Sequence, residues 1–65
     1  MDKYIKYSVG GFALSGRIVG QDGFYTFSDA KEYFNFKKGM PGLASLSIYG
    51  WLNDDEFEEL ENFVS

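Results

Sequence analysis

The chain contains neither cysteine nor histidine, and this double absence constrains its fold more than any motif does. Disulfide bonds and thiolate zinc sites, which stabilise many domains of about this size, cannot form within it. A single domain spanning residues 1–65 must therefore be held together by burial of apolar side chains. Thirteen aromatic residues supply the necessary area, because each can bury about 150–250 Å².

The first part of the chain has the alternating pattern of a β-hairpin. Gly10-Gly11 is a two-residue sequence suited to a tight turn, and it predicts that Val9 pairs with Phe12. In that register Tyr4 lies opposite Arg17 on the exposed face. The buried face of the hairpin would carry six apolar side chains: Ile5, Tyr7, Val9, Phe12, Leu14 and Ile18.

Turn and cap signals predict the next three elements. Gln21-Asp22-Gly23 predicts a second turn, followed by a third strand over residues 24–27. Ser28 is a favourable N-cap for a helix over residues 29–38. Residues 43–49 then predict a fourth strand, with Ala44, Leu46 and Ile48 on one face and Ser45, Ser47 and Tyr49 on the other.

The strongest helix signal lies in residues 52–64. Asn53 is a favourable N-cap, and Glu56 three residues later completes an Asn-x-x-Glu variant of the capping box. Leu52 and Phe57 occupy the positions of a hydrophobic staple, so Phe57 is expected to be buried. The face of the helix opposite the apolar side would carry an acidic strip of five residues: Asp54, Asp55, Glu58, Glu59 and Glu61.

These elements predict an α+β domain of order βββαβα, in which a mainly antiparallel sheet carries two helices on one face. No stretch of about 18 apolar residues is present, and the beginning of the chain, Met-Asp-Lys-Tyr-Ile-Lys, lacks the apolar run of a signal peptide. We therefore expect a cytoplasmic protein that does not enter a membrane.

Charge is divided unevenly along the chain. Residues 1–38 hold all six basic side chains and four acidic ones, whereas residues 39–65 hold six acidic side chains and no basic one. This distribution makes free nucleic acid a poor partner for the C-terminal half and a basic protein surface a suitable one, bound by the acidic strip. If the strip is only solvated surface, the chain would be an accessory or structural domain. A homodimer is also compatible with the sequence.

Most catalytic and metal sites need residues that this chain lacks. Ser-His-Asp and Cys-His nucleophile arrangements cannot be built without histidine and cysteine. The glycines match no phosphate-binding motif, and carboxylates on one convex helix face cannot oppose each other across a cleft. We therefore expect a non-enzymatic protein with no catalytic residue, no metal site and no cofactor.

The exposed face of the predicted hairpin offers an alternative binding surface. It combines basic side chains with an aromatic ring, as sheets that bind single-stranded nucleic acid do. The residues of this alternative nucleic-acid face are Lys3, Tyr4, Lys6 and Arg17. The neighbouring acidic helix opposes such binding, because it repels phosphates.

A very short, acidic α+β chain without cysteine or histidine resembles in type the small phage-encoded proteins that inhibit a host machine. These include anti-CRISPR proteins, antirestriction DNA mimics and inhibitors of RNA polymerase. Ile48-Tyr49 followed by residues 53–60, Asn-Asp-Asp-Glu-Phe-Glu-Glu-Leu, is similar to the strand-to-acidic-helix segments of the DNA mimics. Those mimics are usually longer and more acidic throughout, whereas the N-terminal half of this chain is slightly basic.

The resemblance implies that the protein acts in the host cytoplasm on a larger basic host protein, such as a nuclease, a polymerase or a CRISPR effector. It also implies that the acidic strip stands in for phosphates and occupies a basic nucleic-acid channel.

Overall fold

The computed structural model describes residues 3–65. In that part of the chain four strands and one helix follow in the order β1 (Lys6–Ala13), β2 (Ile18–Phe24), α1 (Phe27–Lys38), β3 (Leu43–Trp51) and β4 (Phe57–Val64). The strands form one sheet in the spatial order β2-β1-β3-β4, and every neighbouring pair is antiparallel. The domain is therefore α+β, but the predicted order βββαβα with two helices is wrong. The order is ββαββ, with a single helix.

The N-terminal hairpin does not turn at Gly10-Gly11. Both glycines lie inside β1, and the chain reverses after it, so that Phe12 pairs with Ile18 and not with Val9. Gly11 is required for another reason, since a Cβ on it would lie 2.0 Å from the carbonyl oxygen of Ser45 in β3. The glycine allows two strands to approach each other closely, and the predicted turn is wrong.

The second turn signal, Gln21-Asp22-Gly23, also lies within a strand. β2 pairs Gln21 with Val9 and Phe24 with Tyr7, so β2 holds one more residue than β1 over this interval. The extra residue makes a β-bulge, in which Gly23 has a φ of 85°. The third strand predicted over residues 24–27 does not form, because Phe24 is the last residue of β2 and Phe27 is the first residue of α1.

The helix α1 begins two residues before its predicted start and ends at the predicted residue. Thr26, not Ser28, is the N-cap, and its hydroxyl oxygen accepts a hydrogen bond from the Asp29 N–H at 3.1 Å. The helix packs on one face of the sheet through Ala30 and Phe34, which are buried. Within residues 3–65 no helix is long and apolar enough to cross a membrane.

The core lies between α1 and the sheet and is small. It consists of Tyr7, Val9, Ala30, Phe34, Leu43, Leu46 and Ile48. Leu46 and Ile48 in β3 are fully buried on one face, as predicted. Ala44, predicted on the same face, is only partly buried, because the pairing of β3 with β1 shifts between Ser45 and Leu43 and brings Leu43 into the core. Of the six side chains predicted to be buried in the hairpin, only Tyr7 and Val9 are. The other four are exposed: Ile5, Phe12, Leu14 and Ile18.

The predicted C-terminal helix is wrong, because residues 57–64 form the edge strand β4. Asn53 nevertheless accepts the hydrogen bond expected of a capping residue from the Glu56 N–H, whereas the Glu56 side chain binds the Asn53 side chain and not its backbone N–H. Asn53 Oδ1 accepts from the Asp55 and Glu56 N–H groups at 2.8 and 2.9 Å, and Asn53 Nδ2 donates to Glu56 Oε1 at 2.7 Å. Here the same bonds close the β3–β4 turn, where the Leu52 N–H donates to the Glu56 carbonyl at 2.9 Å. An Asn that caps a helix and an Asn that closes a turn use the same local bonds.

A second β-bulge explains the helix-like spacing of apolar residues in β4. β3 pairs Ile48 with Glu61 and Tyr49 with Glu59, which leaves Leu60 as an extra residue. The bulge changes the alternation, so Leu60 and Phe63 both pack against the core although they are three residues apart. The bulge thus gives this strand the three-residue spacing of apolar side chains that is typical of a helix.

Candidate functional site

The helix covers one face of the sheet, and the other face carries the candidate site. Alternate pairs of β1 and β3, such as Lys6 with Trp51 and Phe12 with Ser45, lie on this second face. We call it the uncovered face. At one end of it the Ile18 side chain, which pairs with Phe12 across β1 and β2, is 78% exposed. Contiguous exposed apolar patches mark interaction surfaces, whereas single exposed apolar side chains are common on any protein.

Three aromatic side chains form a cluster at the other end of the uncovered face. The Phe57 ring contacts both of the others, with centroid distances of 5.4 Å to Tyr49 and 4.7 Å to Trp51. The indole N–H of Trp51 donates to Ser8 Oγ at 3.0 Å, which fixes the orientation of the ring. Phe57 is 53% exposed, so its predicted burial as a staple residue is wrong. We refer to Tyr49, Trp51 and Phe57 as the aromatic cluster.

Lys6 occupies a position beside the aromatic cluster. Its Nζ lies 5.2 Å from the centroid of the Trp51 ring and 3.6 Å from the Asp54 carboxylate. The Asp54 side chain is 90% exposed, so solvent screens this ion pair and it contributes little to stability. The geometry nevertheless defines what this corner accommodates, namely a cation between an aromatic ring and a carboxylate.

The centre of the uncovered face is a polar cluster around a buried serine. Ser47 Oγ donates to Glu59 Oε2 at 2.8 Å and accepts from Asn62 Nδ2 at 3.0 Å. Glu59 pairs with Tyr49 across β3 and β4. These bonds therefore hold a second carboxylate at the edge of the aromatic cluster.

The acidic residues predicted to form one strip are distributed over three regions. Asp54 and Asp55 lie in the β3–β4 turn, and Glu59 lies on the uncovered face. Glu61 faces α1 and forms an ion pair with Lys31 of that helix. Because a strand alternates its side chains between two faces, the expected continuous strip does not form. Binding of a partner by these acids stays a prediction.

Glu58, the fifth of these acids, is bound by two residues that precede β1. Its carboxylate accepts a hydrogen bond from the Tyr4 hydroxyl at 2.6 Å and lies 3.2 Å from Lys3 Nζ. These contacts lower the pKa of Glu58, with the Tyr4 hydrogen bond as the larger cause. The same contacts raise the pKa of Tyr4 and of Lys3. The Tyr4 ring lies over Gly50, where no side chain obstructs it.

The four residues of the alternative nucleic-acid face are not brought together. Lys3 and Tyr4 bind Glu58, whereas Lys6 lies beside Trp51 on the uncovered face. Arg17 lies next to β2 in the β1–β2 turn, at the opposite end of β1 from Lys6. The predicted pairing of Tyr4 with Arg17 is wrong, because it depended on a turn at Gly10-Gly11.

Sequence reasoning missed the aromatic cluster for an identifiable reason. Tyr49 belongs to the predicted fourth strand, but Trp51 lies beyond the end of that predicted strand and Phe57 lies in the predicted helix, so the sequence pattern does not bring the three rings together. No protein-family model, curated protein or solved structure matches the chain. The fold and the site together define a small α+β domain whose four-stranded antiparallel sheet is covered by a helix on one face and presents an aromatic cluster on the other.

Proposed function

We propose that this protein is a non-enzymatic protein-binding domain that recognises a basic segment of a larger protein. The binding surface consists of the aromatic cluster and the two carboxylates beside it, Asp54 and Glu59, and we call it the aromatic–acid surface. The observation that carries the proposal is the half-exposed Phe57 ring, which lies between two other rings on the uncovered face. Exposed aromatic side chains of this kind contribute most of the binding energy in many protein interfaces.

Charge determines which partner suits this surface. Lys6 lies against Trp51 and Asp54, so these groups suit a cation, and a partner's cation would displace Lys6 from them. An arginine of a partner would be a better ligand than lysine, because its planar guanidinium stacks on aromatic rings and pairs with carboxylates through two N–H groups. The net charge of −4 also favours encounter with a basic partner.

The resemblance to phage-encoded inhibitors suggests the particular form that this function takes. Surfaces that bind nucleic acid are rich in arginine and lysine, which are the side chains that the aromatic–acid surface would recognise. Binding there would occlude the nucleic-acid site of a nuclease, a polymerase or a CRISPR effector. This form of inhibition requires no acidic helix.

Single-stranded nucleic acid is the main rival ligand, because bases also stack on exposed aromatic rings. Two carboxylates lie beside the cluster, whereas Lys6 is the cation in contact with it and is already paired with Asp54. Phosphates that follow stacked bases would therefore meet negative charge. We expect an oligonucleotide to bind more weakly than a basic peptide.

Fluorescence titration tests the proposal directly, because Trp51 is the only tryptophan of the chain and belongs to the surface. The probes are a labelled peptide of alternating arginine and glycine, the same peptide with glutamate in place of arginine, and a single-stranded oligonucleotide. We expect saturable binding of the arginine peptide that weakens as salt rises, and no binding of the glutamate peptide. Tighter binding of the oligonucleotide than of the arginine peptide would refute the proposal.

Variants locate the binding surface. Phe57→Ala should weaken binding of the arginine peptide by about thirtyfold, the effect of removing an interface side chain worth about 2 kcal/mol. Phe36→Ala is the matched control, because it removes the same side chain from α1, where it is 64% exposed and outside the surface. Affinity is measured from the fluorescence anisotropy of the labelled peptide, so that a change in Trp51 emission caused by the substitution does not affect the measurement. Equal affinity of the Phe57→Ala variant and the parent would place binding elsewhere.

A further inference from the structure

A pocket of about 490 Å³ lies between the end of α1 and the β1–β2 turn, at the other end of the strands from the aromatic cluster. Its volume is in the range of pockets that bind small ligands. Apolar side chains and two cations line it. We call it the basic groove, and its principal residues are Leu14, Arg17, Val19, Lys37, Met40 and Leu43.

In the part of the chain that the structure describes, the cations of the basic groove lack the carboxylate partners that three other basic residues have. Lys3, Lys6 and Lys31 each form an ion pair with a carboxylate of β4 or of the turn before it. Among the residues from 3 onward, no carboxylate forms an ion pair with Arg17 or Lys37. Lys38 has no carboxylate partner within residues 3–65 either, but it does not line the pocket. Arg17 and Lys37 therefore bring two cations without acidic partners in this range to one largely apolar pocket, where Lys37 Nζ lies 5.7 Å from the centroid of the Tyr33 ring.

Backbone hydrogen bonds hold the walls of the groove in place. The Leu14 N–H donates to the Gly42 carbonyl at 2.8 Å, which joins the β1–β2 turn to the segment after α1. The Ala13 N–H donates to the Arg17 carbonyl at 2.8 Å, and the Met40 N–H donates to the Lys37 carbonyl at 3.0 Å. A preformed groove binds its ligand without the cost of ordering loops.

We propose that the basic groove binds an acidic peptide segment of a partner protein, in which a large apolar side chain lies next to a carboxylate. The apolar side chain would pack against Val19 and Leu43, and the flexible Met40 would adapt to its shape. The carboxylate would pair with Arg17 and Lys37. A free phosphate or another small anion would use the cations alone and leave the apolar wall unoccupied.

This site is separate from the aromatic–acid surface and takes a partner of opposite charge. The test uses a fluorescently labelled peptide, Gly-Asp-Glu-Phe-Asp-Leu-Gly, and two control peptides. In the first control serine replaces Phe and Leu, and in the second Asn and Gln replace the acidic residues. We expect each control to bind at least tenfold more weakly than the parent peptide, as measured by fluorescence anisotropy. If the serine peptide binds as tightly as the parent peptide, only general charge attraction is at work and the proposal is refuted.

Two adjacent lysines provide matched variants of the protein. Lys37→Glu should weaken binding of the acidic peptide at least tenfold, because Lys37 lines the groove. Lys38→Glu changes the charge equally, but Lys38 lies over the Phe34 ring and does not line the groove, so it should change binding less than threefold. Equal losses in the two variants would overturn the proposal.

A second copy of the chain is the competing occupant, because its β3–β4 turn is itself acidic and is followed by the exposed Phe57. Sedimentation without peptide separates the two. Concentration-dependent association that Lys37→Glu abolishes would assign the groove to a second copy and overturn the peptide proposal, whereas a monomer at all concentrations supports it. Binding of the arginine peptide by Lys37→Glu tests the proposed function independently, since that peptide uses the aromatic–acid surface.

Discussion

Alanine substitutions at three glycines of the central strands test the packing of both faces of the sheet. Gly50 in β3 faces the helix side, where a Cβ would lie 2.7 Å from Tyr4 Cδ1 and 2.9 Å from Leu60 Cδ1. Both atoms belong to side chains, which can move, but a displaced Tyr4 ring would weaken its hydrogen bond to Glu58. We expect Gly50→Ala to destabilise the fold by about 1–3 kcal/mol, the usual cost of overpacking.

Alanine at Gly10 is expected to stabilise the fold, unlike alanine at Gly50. Gly10 lies on the uncovered face, and a Cβ there would meet Tyr49 Cε2 at 3.8 Å, an ordinary van der Waals distance. Alanine also reduces the conformational entropy of the unfolded chain, so Gly10→Ala should stabilise by about 0.4–1 kcal/mol. Gly11→Ala should cost the most of the three, because its Cβ would lie 2.0 Å from a backbone oxygen that cannot move away without distorting β3.

Urea denaturation and thermal melts followed by circular dichroism measure these differences. In a domain of this size a change of 1 kcal/mol shifts the Tm by about 4–8 °C, so Gly50→Ala should lower the Tm by about 4–24 °C. Equal effects at Gly10 and Gly11 would refute the reasoning. They are the result expected if the two glycines formed a hairpin turn, and they would mean that β1 does not continue through this pair.

Two further predictions concern the helix and the N-terminal ion cluster. Phe34→Ala should destabilise by about 3–5 kcal/mol, whereas Phe36→Ala on the solvent side of α1 should change stability by less than about 0.5 kcal/mol in urea melts. Tyr4 and Lys3 lower the pKa of Glu58 below its ordinary value of 4.5. The stability that the ionised Glu58 carboxylate contributes to the fold should therefore be fully present above pH 4.5 and be lost as the pH falls through the lowered pKa. Glu58 raises the pKa of Tyr4 above 10.0. The stability that the protonated Tyr4 hydroxyl contributes to the fold should therefore be fully present below pH 10.0 and be lost as the pH rises through the raised pKa. Melts of Glu58→Gln across pH should lack both changes, and a parent-like profile would contradict the assignment.

The elements that could be predicted from the sequence are those whose signals are local and have a single interpretation. β3 alternates apolar and polar residues over residues 44–48 and has a turn before it, so its buried residues Leu46 and Ile48 were predicted correctly, although Leu43 is buried as well. The end of α1 at Lys38 was also predicted correctly, because basic residues and a following glycine mark it. Its start was displaced by two residues, since Thr26 and Ser28 are both competent N-caps.

The turn at Gly10-Gly11 could not be excluded locally. Gly11 is required by a carbonyl of β3 that lies more than thirty residues away in the chain, and only the paired strands bring the two together. Predicting the aromatic cluster also requires knowing how the strands pair. Trp51 and Phe57 become neighbours because a turn joins β3 to β4, and a helix after Asn53 would have separated them.

The C-terminal segment shows which of two conflicting signals should have been decisive. Cap and spacing favoured a helix, but that helix would place Asp54 near Glu58 and Asp55 near Glu59 with no basic residue to relieve the repulsion. In β4 the glutamates are distributed over both faces of the sheet, and each gains a partner. Tyr4 and Lys3 bind Glu58, Ser47 binds Glu59, and Lys31 binds Glu61. Charged side chains on an edge strand also oppose its pairing with another chain. The acidic residues would repel one another in a helix, but in β4 the glutamates protect the edge of the sheet.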